Sequence, residues 1–131
     1  MLFLDANFFV FANFDLGEKG KRARSLQKEI IARRDACTSV LALDEVMWVV
    51  VRNNKKDQLK NIIEEIYATP HLTVKEVPVL APLAALEIME TCNLRPRDAI
   101  HAATMKAFGL HEIATDDRDF DKVDWITRVH F

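Results

Sequence analysis

Short apolar segments alternate with longer stretches of helical periodicity along the whole chain, and that alternation restricts the fold more than any other feature. "LFLD", "ACTSV", "HLTVKEV", "HEIAT" and "WITRVHF" read as strands. The first is a buried strand over residues 2 to 5, and Pro78 closes the third. Between them, residues 18 to 34 read as a polar, basic helix. Val40, Leu43, Met47 and Val50 then recur at helical spacing to about residue 52, with Thr38 or Ser39 placed to cap that helix. "KKDQLKNIIEEIYA" carries Leu59, Ile62, Ile63, Ile66 and Tyr67 on one stripe. Residues 79 to 92 return to helical spacing through Leu83, Leu86 and Met89. In "LRPRDAIHAATMKAFG", Pro96 suits a first helical position and Gly109 the cap beyond the end. Strands that alternate with helices pair in parallel through right-handed crossovers, which places helices on both faces of the sheet. The expected fold is α/β, a three-layer α/β/α sandwich around a central, mainly parallel sheet.

A chain of 131 residues, half of them hydrophobic, has the size of one domain, and three Gly and four Pro leave no stretch that reads as a linker. One domain over residues 1–131 is expected. The N-terminus lacks the basic region of a secretory signal, and the remaining apolar runs fall well short of the roughly 20 residues of a membrane span. A soluble, cytoplasmic protein without membrane contact follows as an expectation. Cys37 and Cys92 lack metal-type spacing and read as two buried thiols in a reducing compartment. The net charge of -2 argues against a protein that simply coats nucleic acid. Its distribution is uneven: Lys19, Lys21, Arg22, Arg24 and Lys28 crowd one predicted helix, while "TDDRDFDKVD" concentrates acids.

The N-terminal run "MLFLDANFFVF" reads as a buried strand interrupted by Asp5, Ala6 and Asn7. An unpaired carboxylate is costly to bury, so Asp5 lies at the strand's end or has a partner. In open α/β sheets the functional crevice lies outside the carboxyl ends of the strands. Asp5 ends the first strand, Asp116 and Asp117 follow "HEIAT", and Glu45 and Asp98 lie on helices that follow such edges. Plainer readings stand beside each. A carboxylate in a first helical turn, as at Asp98, is favoured by the helix dipole whatever the function. "TDDRDFD" can be a solvated loop with an Asp capping a turn. Glu45 has Leu41, Ala42, Trp48 and Val49 around it, an expensive place for a free carboxylate, but Asp44 has similar neighbours and spacing does not choose between them. His101, one turn after Asp98, reads as a core residue or a partner of the acids, and His71, His111 and His130 lack zinc spacing. Convergent carboxylates without Cys or paired His suit hard cations, Mg²⁺ or Mn²⁺, and like charges at such density need a cation. The chemistry that follows is phosphodiester hydrolysis.

Four stretches in order, "LDANFF", "TSVLALDEVMWVV", "LRPRDAIHAATM" and "IATDDRDFDKV", resemble the PIN domain, in particular the short single-domain members that include the VapC toxins of toxin and antitoxin pairs. The resemblance implies that Asp5, Glu45, Asp98 and Asp117 are the catalytic, metal-binding acids, with Glu45 preferred to Asp44. It implies auxiliary roles for Asn7, Thr115, Asp116 and Asp119, and makes Arg95, Arg97 and the basic helix near residues 19 to 28 candidate phosphate contacts. Ala6 stands where Thr or Ser is frequent, which removes a hydroxyl but no ligand. The activity implied is that of a Mg²⁺- or Mn²⁺-dependent endoribonuclease, usually a homodimer, whose partners are RNA and a small antitoxin. Two other readings compete. A phosphatase using Asp5 as a phosphorylated nucleophile would need a second Asp two positions on as general acid, and Asn7 cannot serve. A catalytically silent RNA- or protein-binding module of the same fold would have no need to hold four buried like charges together.

Overall fold

A computed structural model describes all residues from Met1 to Phe131. Five strands form a single sheet: β1 (Leu2–Leu4), β2 (Ala36–Ser39), β3 (Leu72–Lys75), β4 (Glu112–Ala114) and β5 (Thr127–Val129). Their spatial order is β3-β2-β1-β4-β5 and every pairing is parallel. Six helices accompany them: α1 (Ala6–Phe14), α2 (Glu18–Ala32), α3 (Val40–Arg52), α4 (Lys56–Ala68), α5 (Ala81–Cys92) and α6 (Pro96–Ala107). A 3₁₀ turn, Arg118–Lys122, links β4 to β5. The expected α/β class and parallel sheet are observed.

The period-two alternation of β1 divides the core into two layers. Leu2 and Leu4 face one side, packing with Phe8, Phe9, Leu26, Val46 and Ile66 from α1 to α4. Phe3 faces the other, packing with Ala85 and Ile88 of α5 and Ala99, Ala102 and Met105 of α6. β1 is hydrogen-bonded on both sides and fully buried.

Four sequence expectations need correction. The strand ends at Leu4, not at residue 5, and the apolar run after it is helix α1. Asp5 makes the break: its backbone is extended and its carboxylate accepts the Ala6 N–H at 2.7 Å, so it caps α1. In α5 the leucines expected on the apolar stripe are outside, with Leu83 66% and Leu86 60% exposed, while Ala81, Ala85 and Ile88 face the core. Of the two thiols, Cys37 is buried but Cys92 is only half-buried at the end of α5. The cap of α3 is Ser39, whose hydroxyl accepts the Ala42 N–H at 3.2 Å, whereas the Thr38 hydroxyl donates to the Leu4 carbonyl at 2.8 Å. The basic helix stops at Ala32, two residues earlier than its pattern suggests.

Candidate metal centre

The chain runs outward from β1 to β2 on one side and returns to β4 on the other, so the sheet order reverses at β1. Crevices in open α/β sheets form at such a reversal, beyond the strands' carboxyl ends. Asp5 follows β1 and Thr115 follows β4 at that edge. α3, which follows β2, brings Glu45, and the first turn of α6 brings Asp98. Asp5, Asn7, Glu45, Asp98 and Asp117 line one hollow of about 340 Å³, together with Arg97 and a rim of Val10, Trp48 and Val49.

The floor of the hollow is a hydrogen-bond network centred on the buried Thr115. Its hydroxyl donates to Asp5 Oδ2 at 2.6 Å and accepts from Asn7 Nδ2 at 2.9 Å and from the Asp117 N–H at 3.1 Å. Asn7 Nδ2 also reaches Asp5 Oδ2 at 3.1 Å, and its Oδ1 accepts the Asp116 N–H at 3.1 Å. Asp117 Oδ1 accepts the Asp119 N–H at 2.8 Å and so starts the 3₁₀ turn. These bonds hold the end of β1, the start of α1 and the loop after β4 in one geometry.

His101, 1% exposed, lies beneath the acids with its ring against Phe3 at 5.8 Å between centroids. Its Nε2 is 2.8 Å from Glu45 Oε2 and 4.0 Å from Asp5 Oδ1, while its buried Nδ1 has no partner. Both alternatives read from the sequence therefore hold together: His101 is a core residue and a partner of the acids. Burial alone would lower its pKa, but the Glu45 hydrogen bond and the Asp5 charge outweigh it and the pKa is raised. Burial raises the Asp5 carboxyl against the opposing pull of His101 and Thr115. Asp98 is pushed up to about 6, by burial first and then by the like charges of Asp117 and Asp5.

Two sets of ligand atoms are close enough to share a cation, each within 4.8 Å: Asp5, Glu45 and His101 in the interior, and Asp98, Asp117 and Asp119 at the mouth. Oxygen predominates, no thiol is near, and carboxyls are destabilised as anions by one another. That donor set fits a hard divalent ion. Asp119 also contacts Lys122 at 2.9 Å. Asp116 turns away from the hollow, with Lys19 Nζ at 2.7 and 2.8 Å from its two oxygens. Among the candidate phosphate contacts, Arg97 lines the hollow and meets Glu45 Oε1 at 3.3 Å. Arg95 is exposed and does not line it. In the basic helix, Lys19 is held by Asp116, and Arg24 donates to the Asp15 carbonyl at 2.7 Å, which ties α2 to the end of α1.

The family model for the PIN domain matches residues 2–126. The chain belongs to the PIN domain family. Ribonuclease VapC6 of Methanocaldococcus jannaschii is 36% identical to this PIN domain over 84 residues, 64% of this chain and 51% of that protein. The match thus spans about half the length of that relative. Among solved structures, VapC20 of Mycobacterium tuberculosis, a sarcin-ricin loop cleaving toxin, is similar with a TM-score of 0.82 and 17% identity over 100% of both chains. VapBC2 from Rickettsia felis, bound to a DNA fragment from its promoter, is similar with a TM-score of 0.75 and 16% identity over 98% of each chain. At such identities the likeness is one of fold.

Proposed function

We propose that this PIN domain is an endoribonuclease of the VapC kind, dependent on Mg²⁺ or Mn²⁺ held by Asp5, Glu45, Asp98 and Asp117, with Asp119 as an auxiliary ligand at the mouth. The observation that carries the reading is the convergence of these carboxylates, from four separate segments, on one hollow at the reversal of the sheet. A divalent ion bound there supplies a more acidic water and stabilises charge on phosphate oxygens during in-line displacement. Asp5 is aimed into the site by the Ala6 N–H and the Thr115 hydroxyl. Asn7 and Thr115 hold the β4 loop, and through it Asp117, against Asp5. Arg97 is free to leave Glu45 for a phosphate, since half of its side chain is exposed. Activity on RNA is supported by the name of the M. jannaschii relative and by the toxin that shares the fold.

The reading extends to partners. Proteins of like fold have been solved as toxin-antitoxin complexes, which supports a small antitoxin that covers the site. The exposed apolar face of α5, with Val79 and Leu80 before it and Leu83 and Leu86 within it, supports a homodimer. No helix is long and apolar enough to cross a membrane, and work on RNA would place the protein in the cytoplasm.

The test is cleavage of a defined RNA pool by the wild type and by Asp5→Asn, with and without Mn²⁺. Cleavage is expected only with the wild type and the metal, while circular dichroism shows both proteins folded. Cleavage that survives EDTA or the substitution would overturn the assignment. Absence of divalent-ion binding in a calorimetric titration would point to a silent binding module.

A further inference from the structure

Trp48 is 59% exposed, an unusual state for the largest apolar side chain, and it lies one helical turn beyond Glu45 on α3. It lines the acidic hollow and also a second hollow of about 400 Å³ beside it, which Met47, Val51 and Leu59 line as well. Arg97 is the other residue common to the two. The second hollow therefore adjoins the acidic one, and the boundary between them carries one exposed indole and one guanidinium. The single acid of the second hollow, Asp44, is an acceptor available to N–H groups on a base edge.

That pairing selects among occupants. A polyanionic strand with a phosphodiester at the carboxylates must carry its neighbouring nucleotide out of the acidic hollow. Along this route it meets a cation for its phosphate and a flat aromatic face for its base. Base-on-indole stacking tolerates any base, and Arg beside the ring adds to it. A duplex keeps its bases stacked on each other and offers none to Trp48, so the geometry calls for a single strand or an opened loop.

We propose that Trp48 positions the substrate by stacking on the base next to the scissile phosphodiester, with Arg97 on the adjoining phosphate. The proposal rests on the ribonuclease reading, and the experiment separates the two. Intrinsic fluorescence is followed by stopped flow, before turnover, as a short unstructured oligoribonucleotide is mixed with the protein in Mg²⁺. A strand of the same length lacking its bases serves as control. The chain has two tryptophans, so Trp48→Phe identifies the responding one. Base-bearing RNA should quench the wild type, leave Trp48→Phe nearly unquenched, and quench more than the baseless strand. In cleavage assays Trp48→Ala and Trp48→Leu should raise KM roughly 5- to 100-fold. Their kcat should stay within about threefold of wild type, and Trp48→Phe should keep a KM near wild type.

An unchanged KM in Trp48→Ala, or equal quenching of Trp48→Phe and wild type, would overturn the proposal and leave the ribonuclease reading intact. So would wild-type behaviour of Trp48→Leu, which would mean an apolar contact without stacking. A Trp48→Ala that cleaves RNA normally but no longer binds a protein inhibitor would assign the surface to a protein partner instead. Base-dependent quenching without cleavage by the wild type in either metal would refute the nuclease reading and leave the stacking site standing.

Discussion

Asp98 is held near a pKa of about 6, against an ordinary value of 3.8, by burial and by the neighbouring Asp117 and Asp5. Its folded pKa lies above its unfolded one, so between those values the folded protein binds the extra proton. The contribution of Asp98 to stability without a cation therefore falls as pH rises from about 4 to about 6. A melting curve in EDTA should show that fall, and Mn²⁺ should raise the melting temperature more above about pH 7 than near pH 5. A pH-independent effect of Mn²⁺ would contradict this. Asp98→Asn removes the like charge, and in EDTA at neutral pH it should stabilise the protein by about 1 kcal/mol, allowing for screening. RNA cleavage by the same variant should drop about 100-fold or more. Thr115→Val keeps the shape but leaves the Asp117 N–H without its acceptor and takes one of two acceptors from Asn7 Nδ2 and the shortest of three donors from Asp5. It should cost about 1–3 kcal/mol in urea unfolding, lower kcat, and be largely rescued by Thr115→Ser. Local spacing supports an acid on α3 but leaves Asp44 and Glu45 equivalent. The fold separates them: Glu45 turns inward to His101, while Asp44 is exposed at the neighbouring hollow.

At the scale of elements, α1 is the one whose absence from the sequence reading has a clear physical cause. Its residues, "ANFFVFANF", are apolar nearly all round because α1 packs under α2 and against α3. A helix buried that way has no periodic polar face and looks like a strand. Its junction with α2 depends on Gly20. The Gly20 N–H donates to Asp15 Oδ2 at 2.6 Å, and a Cβ there would collide with the Asp15 carbonyl. Gly20→Ala should therefore destabilise the protein by about 1–3 kcal/mol despite better helix propensity, measurable as a lower urea midpoint. An unchanged midpoint would mean that the two helices separate at little cost. For α5 the pattern of leucines indicated a helix but not its inner face. α6 packs close enough there that alanines occupy the interface and Leu83 and Leu86 are left outside.

For the molecule as a whole, those exposed leucines have a measurable consequence. The wild type is expected to run as a dimer in light scattering, and Leu83→Glu combined with Leu86→Glu as a folded monomer. A wild-type monomer would remove α5 as a self-association surface. The alternation of strand and helix signals was enough to establish an α/β sandwich, because periodicity is a local property that survives in the linear order. The same order placed acids at the ends of predicted strands, and the four motifs together pointed to the PIN domain. Which acids share space, and with what, was settled only by the fold. Asp5 and Thr115 are 110 residues apart and meet because β1 and β4 are neighbours in the sheet. Asp116 and Asp117 are adjacent in sequence, yet one pairs with Lys19 outside while the other lines the hollow. The cap at Asp5, the burial of His101 and the exposure of Trp48 likewise depend on contacts between distant segments, which no local pattern encodes.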